Sequence, residues 1–331
     1  MSGELPIIDI SDLKNGVDPA LVARQIHDAC INVGFFYIME HGISEGLQTD
    51  LENASKEFFQ LTESEKMAIR MELAGKAWRG YFPVGNELTS GKPDLKEGIY
   101  FGEQLPDDDE RVTSGMPLHG QNLFPERPSQ LRSVVLRYID EMTQLGHTLM
   151  RGISLSFGRD PDFMHRIYTS DPLVLFRIFH YPAQKKQSMD QWGVGEHTDY
   201  GLLTILKQDD AGGLQVKSRH GWIDAPPVEG TFICNIGDML DRLTGGYYRS
   251  TPHRVLNTSG RGRLSYPFFF DPGMHAVLKP IAIDSRESIE DDSVSRWDKA
   301  SVHAFDGTYG DYLLGKVSKV FPELGSGNLG A

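Results

Sequence analysis

Seven short runs rich in Val, Ile, Leu, Phe and Tyr follow Asp171: LVLFRIFHYP, GLLTILKQD, GLQVKS, GWIDAPP, TFICNIGD, HRVLN and RLSYPFFFD, with Gly, Asp, Pro and Asn turns between them. This pattern limits the fold more than any other feature. Parallel strands must be joined by crossovers of a dozen or more residues, usually helical. No helical crossover of useful length separates these runs. An antiparallel barrel or jelly roll over residues 171–280 therefore fits better than a doubly wound sheet.

The upstream half reads as mixed. LPIIDI (Leu5–Ile10) and FFYIM (Phe35–Met39) are short strands. Between them Asp18-Pro19 opens a helix, because Pro suits the first helical position. Val22, Ile26, Ala29, Cys30 and Val33 form its apolar stripe, and Gly34 ends it. A second helix covers Glu45 to Gln60, and Thr62-x-x-Glu65 is a capping box that starts a third. From Gly75 to Pro128 periodicity weakens, as in a lid or substrate loop. Asp107–Glu110 reads there as a solvated acidic loop, and Trp78–Phe82 and Lys96–Phe101 as ordered islands. Ser129–Phe157 is the strongest helix. Its Leu131, Val135, Tyr138, Met142, Leu145 and Leu149 step by four and three, the stripe of a helix packed on a sheet. The tail after Phe305 is helical to about Lys319 and then Gly-rich. With no repeat or linker, one domain is expected over 1–331, with an N-terminal region over 1–120 and a β core over 171–280.

The 331 residues can bury a sizeable core without staples. Cys30 and Cys234 offer neither a disulfide framework nor a metal knuckle. A net charge of −13 opposes binding to nucleic acid or an anionic membrane. No secretory leader is visible, and no run approaches the ~20 apolar residues of a membrane span. A soluble, cytoplasmic protein acting on a small molecule is expected, with its oligomeric state left open.

GEHTDYGLLTIL (Gly195–Leu206) sets His197 and Asp199 two apart, on one face if the chain is extended. Aiming an imidazole and a carboxylate into one interior is costly unless something satisfies them. A hydrogen-bonded pair is one solution and a metal the other. His253, in STPHRVLN, would complete a set of two His and one carboxylate that leaves half of a metal's coordination open, as in non-haem Fe(II) centres. Arg263 and Ser265, in RGRLSYPFFF, repeat the two-residue spacing. If Asn257–Gly262 (NTSGRG) is a hairpin turn, His253 lies opposite Ser265 and Val255 opposite Arg263, so all share a face. An inward Arg calls for an anion, and its planar fork matches a carboxylate. A keto acid would span from the metal to Arg263. Arg79, Tyr81, Glu97 and Phe268 are candidates for the substrate end. His180 alternates to the face opposite Tyr181 and is structural, as are His27, His147 and His303.

HTDYGLLTIL, NIGDML, GGYYRSTPHRV and RLSYPFFF together resemble the Fe(II)/2-oxoglutarate-dependent dioxygenase superfamily, in its isopenicillin-N-synthase-like branch. LPIIDIS and GFFYIMEHGI resemble that branch's N-terminal dioxygenase region, so the similarity covers nearly the whole chain. RGYFPVGNELTSGKPDLKEGIYFG and GYYRSTPHRV are also similar to 2-oxobutyrate oxidase-like proteins. The resemblance implies a mainly β fold, a double-stranded β-helix or distorted jelly roll, with flanking helices, an N-terminal α/β region and the long backbone helix. It implies Fe(II) on His197, Asp199 and His253, and the distal carboxylate of 2-oxoglutarate on Arg263 and Ser265. Tyr181, in FHYP, matches a tyrosine that contacts the cosubstrate's other carboxylate. Phe179 stands where many plant members have Asn, removing one polar contact. The implied reaction uses O2 and 2-oxoglutarate, releases succinate and CO2, and hydroxylates, desaturates or cyclises a small substrate. Two other readings remain at this point. One is an Fe(II) oxidase without 2-oxoglutarate, whose own substrate carboxylate, such as that of a short 2-oxo acid, meets Arg263 and Ser265. The other is a metal- or ligand-binding sensor without turnover.

Overall fold

The computed structural model describes residues 4–183, 192–281, 283, 296 and 299–320. Among these, twelve strands form two sheets. They are β1 Ile7–Asp9, β2 Phe35–Met39, β3 Gly80–Phe82, β4 Glu97–Gly102, β5 Leu173–Tyr181, β6 Val194–His197, β7 Leu203–Gln208, β8 Leu214–Ser218, β9 Gly221–Asp224, β10 Phe232–Ile236, β11 His253–Val255 and β12 Arg263–Asp271. The larger sheet has the order β1-β2-β10-β7-β12-β5-β4-β3, and the smaller β6-β11-β8-β9. All strand pairs are antiparallel except β1 with β2. The runs after Asp171 thus build the expected jelly roll. The N-terminal strands extend its larger sheet at both ends.

Strand parity decides what each side chain meets, since neighbours along a strand point to opposite faces. On β5 the odd-numbered Leu175, Arg177, Phe179 and Tyr181 face the interior between the sheets, as do Arg263, Ser265, Pro267, Phe269 and Asp271 on β12. The even-numbered residues point to the other face, where Phe176 and Phe270 meet the helix Leu131–Ser156, which lies where the apolar stripe predicts. Tyr138 packs on Phe176 with ring centroids 5.0 Å apart, and His147 on Phe270 at 4.9 Å. Phe176, Phe268 and Phe270 are fully buried.

Two expectations need correction. Asn257–Gly262 is not a hairpin turn. β11 pairs with β6 and β8, whereas both edges of β12 are taken by β5 and β7. The segment between them crosses from one sheet to the other, and His253 lies opposite His197 and Val216 rather than Ser265. Asn257 Nδ2 fastens the crossing by donating to the Arg261 carbonyl at 2.8 Å and the Tyr181 carbonyl at 3.3 Å. The weakly periodic stretch from Gly75 also contributes strands. β3 and β4 close the edge beside β5, and every residue of β4 is buried. A fully buried strand has no polar face, which hides its period.

The capping box at Thr62 is present, with Glu65 donated to by the Thr62 amide and hydroxyl, but its helix is short, Glu63–Met67. The helix Tyr309–Val320 borders the interior, lining its cavity with Leu313 and Val317. Tyr309 donates to Asp271 Oδ2 at 2.5 Å and Tyr312 to Asp238 Oδ2 at 2.7 Å. The Gly-rich end lies outside the described residues. Among the described residues no helix is long and apolar enough to cross a membrane.

Helix propensity favours Ala over Gly by about 1 kcal/mol, yet a Cβ on Gly146 would sit 2.4 Å from the Phe270 ring. Gly146→Ala should lower stability by roughly 1–3 kcal/mol. Gly46→Ala, with nothing within 4 Å of its new Cβ, should not. Thermal melts of both variants compare them directly.

Candidate active site

Between the two sheets lies a cavity of about 110 Å³. At its wall the ligand atoms of His197, Asp199 and His253 all lie within 4.8 Å of one another. β6 supplies His197 and β11 supplies His253, side by side across the strand pair, with ring centroids 4.2 Å apart. A register slip between them, where Val255 pairs with Val194, turns both Val194 and His197 inward. Asp199 follows on the loop after β6.

The hydrogen bonds leave one donor atom free on each residue. His197 Nδ1 is 2.8 Å from the Gly195 carbonyl, and His253 Nδ1 is 3.2 Å from the Thr251 carbonyl. A carbonyl only accepts, so both Nδ1 atoms carry a proton, which leaves Nε2 as the ligating nitrogen of each ring. Those Nε2 atoms lie 3.9 Å and 3.8 Å from Asp199 Oδ1. Asp199 Oδ2 is occupied, accepting from Thr204 at 2.5 Å and from the Asn235 amide at 2.7 Å. Burial would raise the Asp199 pKa, but the two histidines and these two hydrogen bonds hold it below the usual value. Burial, with the nearby His253, depresses His197 to about 3, so its imidazole is neutral at pH 7. Two imidazole Nε2 atoms, one carboxylate oxygen and an open side fit Fe(II).

The cavity's other polar end belongs to Arg263, which is fully buried. Its Nε donates to the Gly212 carbonyl at 2.6 Å and its guanidinium lies over the Tyr181 ring at 4.7 Å. Its Nη1 is buried without a partner. Ser265 lines the same wall two residues on. A buried guanidinium N–H left unmatched beside a cavity is a receptor for an anion. Phe179 also faces this end, beneath the Lys96 ammonium at 4.5 Å.

The structure brings His197, Asp199, His253, Tyr181, Arg263 and Ser265 to one cavity. The four substrate-end candidates are not on its wall. Phe268 has the wrong parity and is buried on the other face of β12, paired with Phe176 and Ile205. Arg79 holds loop carbonyls, donating to Glu103 and Gly120 at 2.6 Å and to Leu118 at 3.0 Å. Tyr81 and Glu97 form a buried network on the opposite face of the sheet, where Glu97 accepts from Lys66 and Tyr81, both at 2.6 Å, and meets His180 Nδ1 at 2.8 Å. Residues missed from sequence do line the wall: Glu87, Lys96, Arg177, Thr204, Asn235 and Asp271, with Leu313 and Val317 from the helix Tyr309–Val320. Thr204, Arg177 and Asn235 each stood as a lone polar residue inside an apolar strand run, which was the available signal.

Comparison with known proteins now bears on the family. Residues 5–127 match the family described as non-haem dioxygenase in morphine synthesis N-terminal, and residues 172–272 match the 2OG-Fe(II) oxygenase superfamily. A probable iron/ascorbate oxidoreductase of Dictyostelium discoideum is 52% identical, over 97% of this chain and 96% of the relative. The chain belongs to the 2OG-Fe(II) oxygenase superfamily. A 1-aminocyclopropane-1-carboxylate oxidase of Dictyostelium mucoroides is 41% identical over 97% of this chain and 96% of that protein. Among solved structures, a full-length Neurospora crassa protein in complex with alpha-KG and thymine aligns with a TM-score of 0.78 and 27% identity, covering 95% of this chain and 96% of that one. This oxygenase is thus an enzyme that uses Fe(II), 2-oxoglutarate and O2.

Two outcomes follow for this oxygenase. Thr204→Val removes one of the two bonds that orient the Asp199 carboxylate, and should weaken Fe(II) affinity about 10–100-fold, as loss of such supports does elsewhere; anaerobic metal titration reads it. Burial would raise the Glu97 pKa, but His180, Lys66 and Tyr81 hold it down at about 2, against an ordinary 4.5. A depressed carboxylate stabilises above its unfolded pKa, and loses that contribution as pH falls through the folded one. Glu97→Gln should therefore destabilise by the order of 3 kcal/mol at pH 7. The gap to the parent should close between pH 4.5 and 2 in melts run across that range.

Proposed function

We propose that His197, Asp199 and His253 hold the Fe(II) of this oxygenase, that Arg263 with Ser265 receives the distal carboxylate of 2-oxoglutarate, and that Tyr181 lies against the cosubstrate between them. The observation that carries this reading is the buried, unpartnered Arg263 Nη1 on the same wall as the three ligands. A carboxylate satisfies it in the bidentate geometry that guanidinium favours. With metal and cosubstrate bound, such a centre supplies O2-dependent oxidation of a small organic substrate, with release of succinate and CO2.

The chain's own residues provide position and dryness. The backbone carbonyls of Gly195 and Thr251 fix which imidazole nitrogen is free. Thr204 and Asn235 fix which carboxylate oxygen is free. Phe35 packs edge-on to His253 at 5.2 Å and, with Leu206, Leu214 and Val255, surrounds the polar set with apolar wall. Excluding water there strengthens every charge interaction inside. The same reading treats the chain as one catalytic unit, because strands from β1 to β4 complete the sheet that carries Arg263 and Tyr181. It also assigns the protein to the cytoplasm, where the buried free thiols of Cys30 and Cys234 stay reduced.

The test is anaerobic. Fe(II) and then 2-oxoglutarate are added to the apoprotein, and the visible charge-transfer band of the chelated keto acid is titrated. Arg263→Leu should raise the half-saturating 2-oxoglutarate concentration at least about tenfold. An unchanged titration would assign Arg263 to another anion, the substrate's own carboxylate being the first choice.

A further inference from the structure

Outside the ligand set and Arg263, four charged side chains face the cavity: Glu87, Lys96, Arg177 and Asp271. Three of them are matched. The Lys96 ammonium lies 2.7 Å from Asp94 Oδ2 and 2.9 Å from Glu87 Oε2. Glu87 Oε1 accepts from the Tyr100 hydroxyl at 2.8 Å. Asp271 accepts from the Leu202 amide at 3.2 Å and from Tyr309.

Among the described residues Arg177 makes no hydrogen bond, and its one ion-pair contact is long. Its closest carboxylate oxygen, Glu87 Oε1, is 3.7 Å from Nη1, beyond hydrogen-bond range. Its Nε is buried without a partner, and its side chain is only 15% exposed. A guanidinium carries five N–H donors, and burying them unused is costly. The Tyr100 ring lies 4.1 Å and the Phe269 ring 4.8 Å from its central carbon. These contacts hold the group in place by cation–π attraction and form no hydrogen bond with it.

Its location separates it from Arg263. Arg177 and Tyr181 share one face of β5 and are four residues apart, about 13 Å along a strand. Tyr181 underlies Arg263. Phe269, which stacks on Arg177, pairs instead with Thr204, the residue that holds Asp199. The two guanidiniums therefore serve different parts of the cavity, and one carboxylate of the cosubstrate does not reach both.

We propose that Arg177 anchors an acidic group of the primary substrate, so that this oxygenase acts on a small organic carboxylate whose body packs against Leu175, Phe269, Leu313 and Val317. The proposal deepens the functional reading above and rests on it for the identity of the cavity.

The experiment uses anaerobic protein loaded with Fe(II) and 2-oxoglutarate. The probes are short aliphatic, cyclic and aromatic monocarboxylates and α-amino acids at millimolar concentration, each paired with its primary amide. Perturbation of the keto-acid band reports binding beside the metal. At least one acid should perturb the parent band, and its amide should bind about 10–100-fold more weakly, because it cannot form the charged fork. Arg177→Leu should lose that acid by a similar factor while its keto-acid band still forms. Arg177→Lys, with the charge but not the fork, should fall between them. A thermal melt of each variant checks that it folds. The proposal is overturned if no acid perturbs the parent band, if amides bind as well as acids, or if Arg177→Leu binds the acid unchanged. Failure of the band to form in the parent would instead overturn the 2-oxoglutarate reading; equilibrium dialysis of the same acid–amide pairs against parent and Arg177→Leu would then decide Arg177 alone.

Discussion

The burial of the Asp199 carboxylate is the constraint that organises the interior. A lone carboxylate in this apolar enclosure is costly. The fold answers by dividing its two oxygens. Oδ2 takes hydrogen bonds from Thr204 on β7 and Asn235 on β10, both in the larger sheet. Oδ1 faces His197 and His253, both in the smaller sheet. The group thus joins the two layers of the jelly roll at the proposed metal site. A metal held at the open side, as proposed, would place positive charge beside Oδ1.

Much of this was legible because strand periodicity is short and rigid. The spacing of Arg263 with Ser265 gave a shared wall without knowledge of the partner strands, whereas Asp199 reaches the wall beside His197 from the loop after β6. The same rule would have selected Phe269 rather than Phe268, since 269 keeps the parity of 263 and 265. It would also have placed Arg177 on the wall with Tyr181. The helix Leu131–Ser156 was readable for the related reason that one of its faces is buried and the other is wet.

Other parts were not legible, for physical causes. The path from β11 to β12 looks like a tight turn in sequence, because Gly, Ser and Asn serve a sheet-to-sheet crossing as well as a hairpin. Only the occupied edges of β12 exclude the hairpin. The stretch from Gly75 looked irregular because β4 is buried on both faces and its neighbours are held by side chains. Arg79 is the clearest case. It satisfies three backbone carbonyls that no strand ladder reaches. An arginine in a loop suggests a ligand, but here it is the cement of the loop itself.

The helix Tyr309–Val320 has a further meaning for how such an enzyme diversifies. It contributes Leu313 and Val317 to the cavity yet provides none of the metal-facing atoms. Two tyrosines, Tyr309 and Tyr312, tether it to Asp271 and Asp238. Shape and reactivity are thereby written on separate stretches of polypeptide. A change of volume at position 313 or 317 reshapes the chamber and leaves every ligand, with its supporting hydrogen bonds, as it was. Selection can retune what enters without renegotiating how it is oxidised.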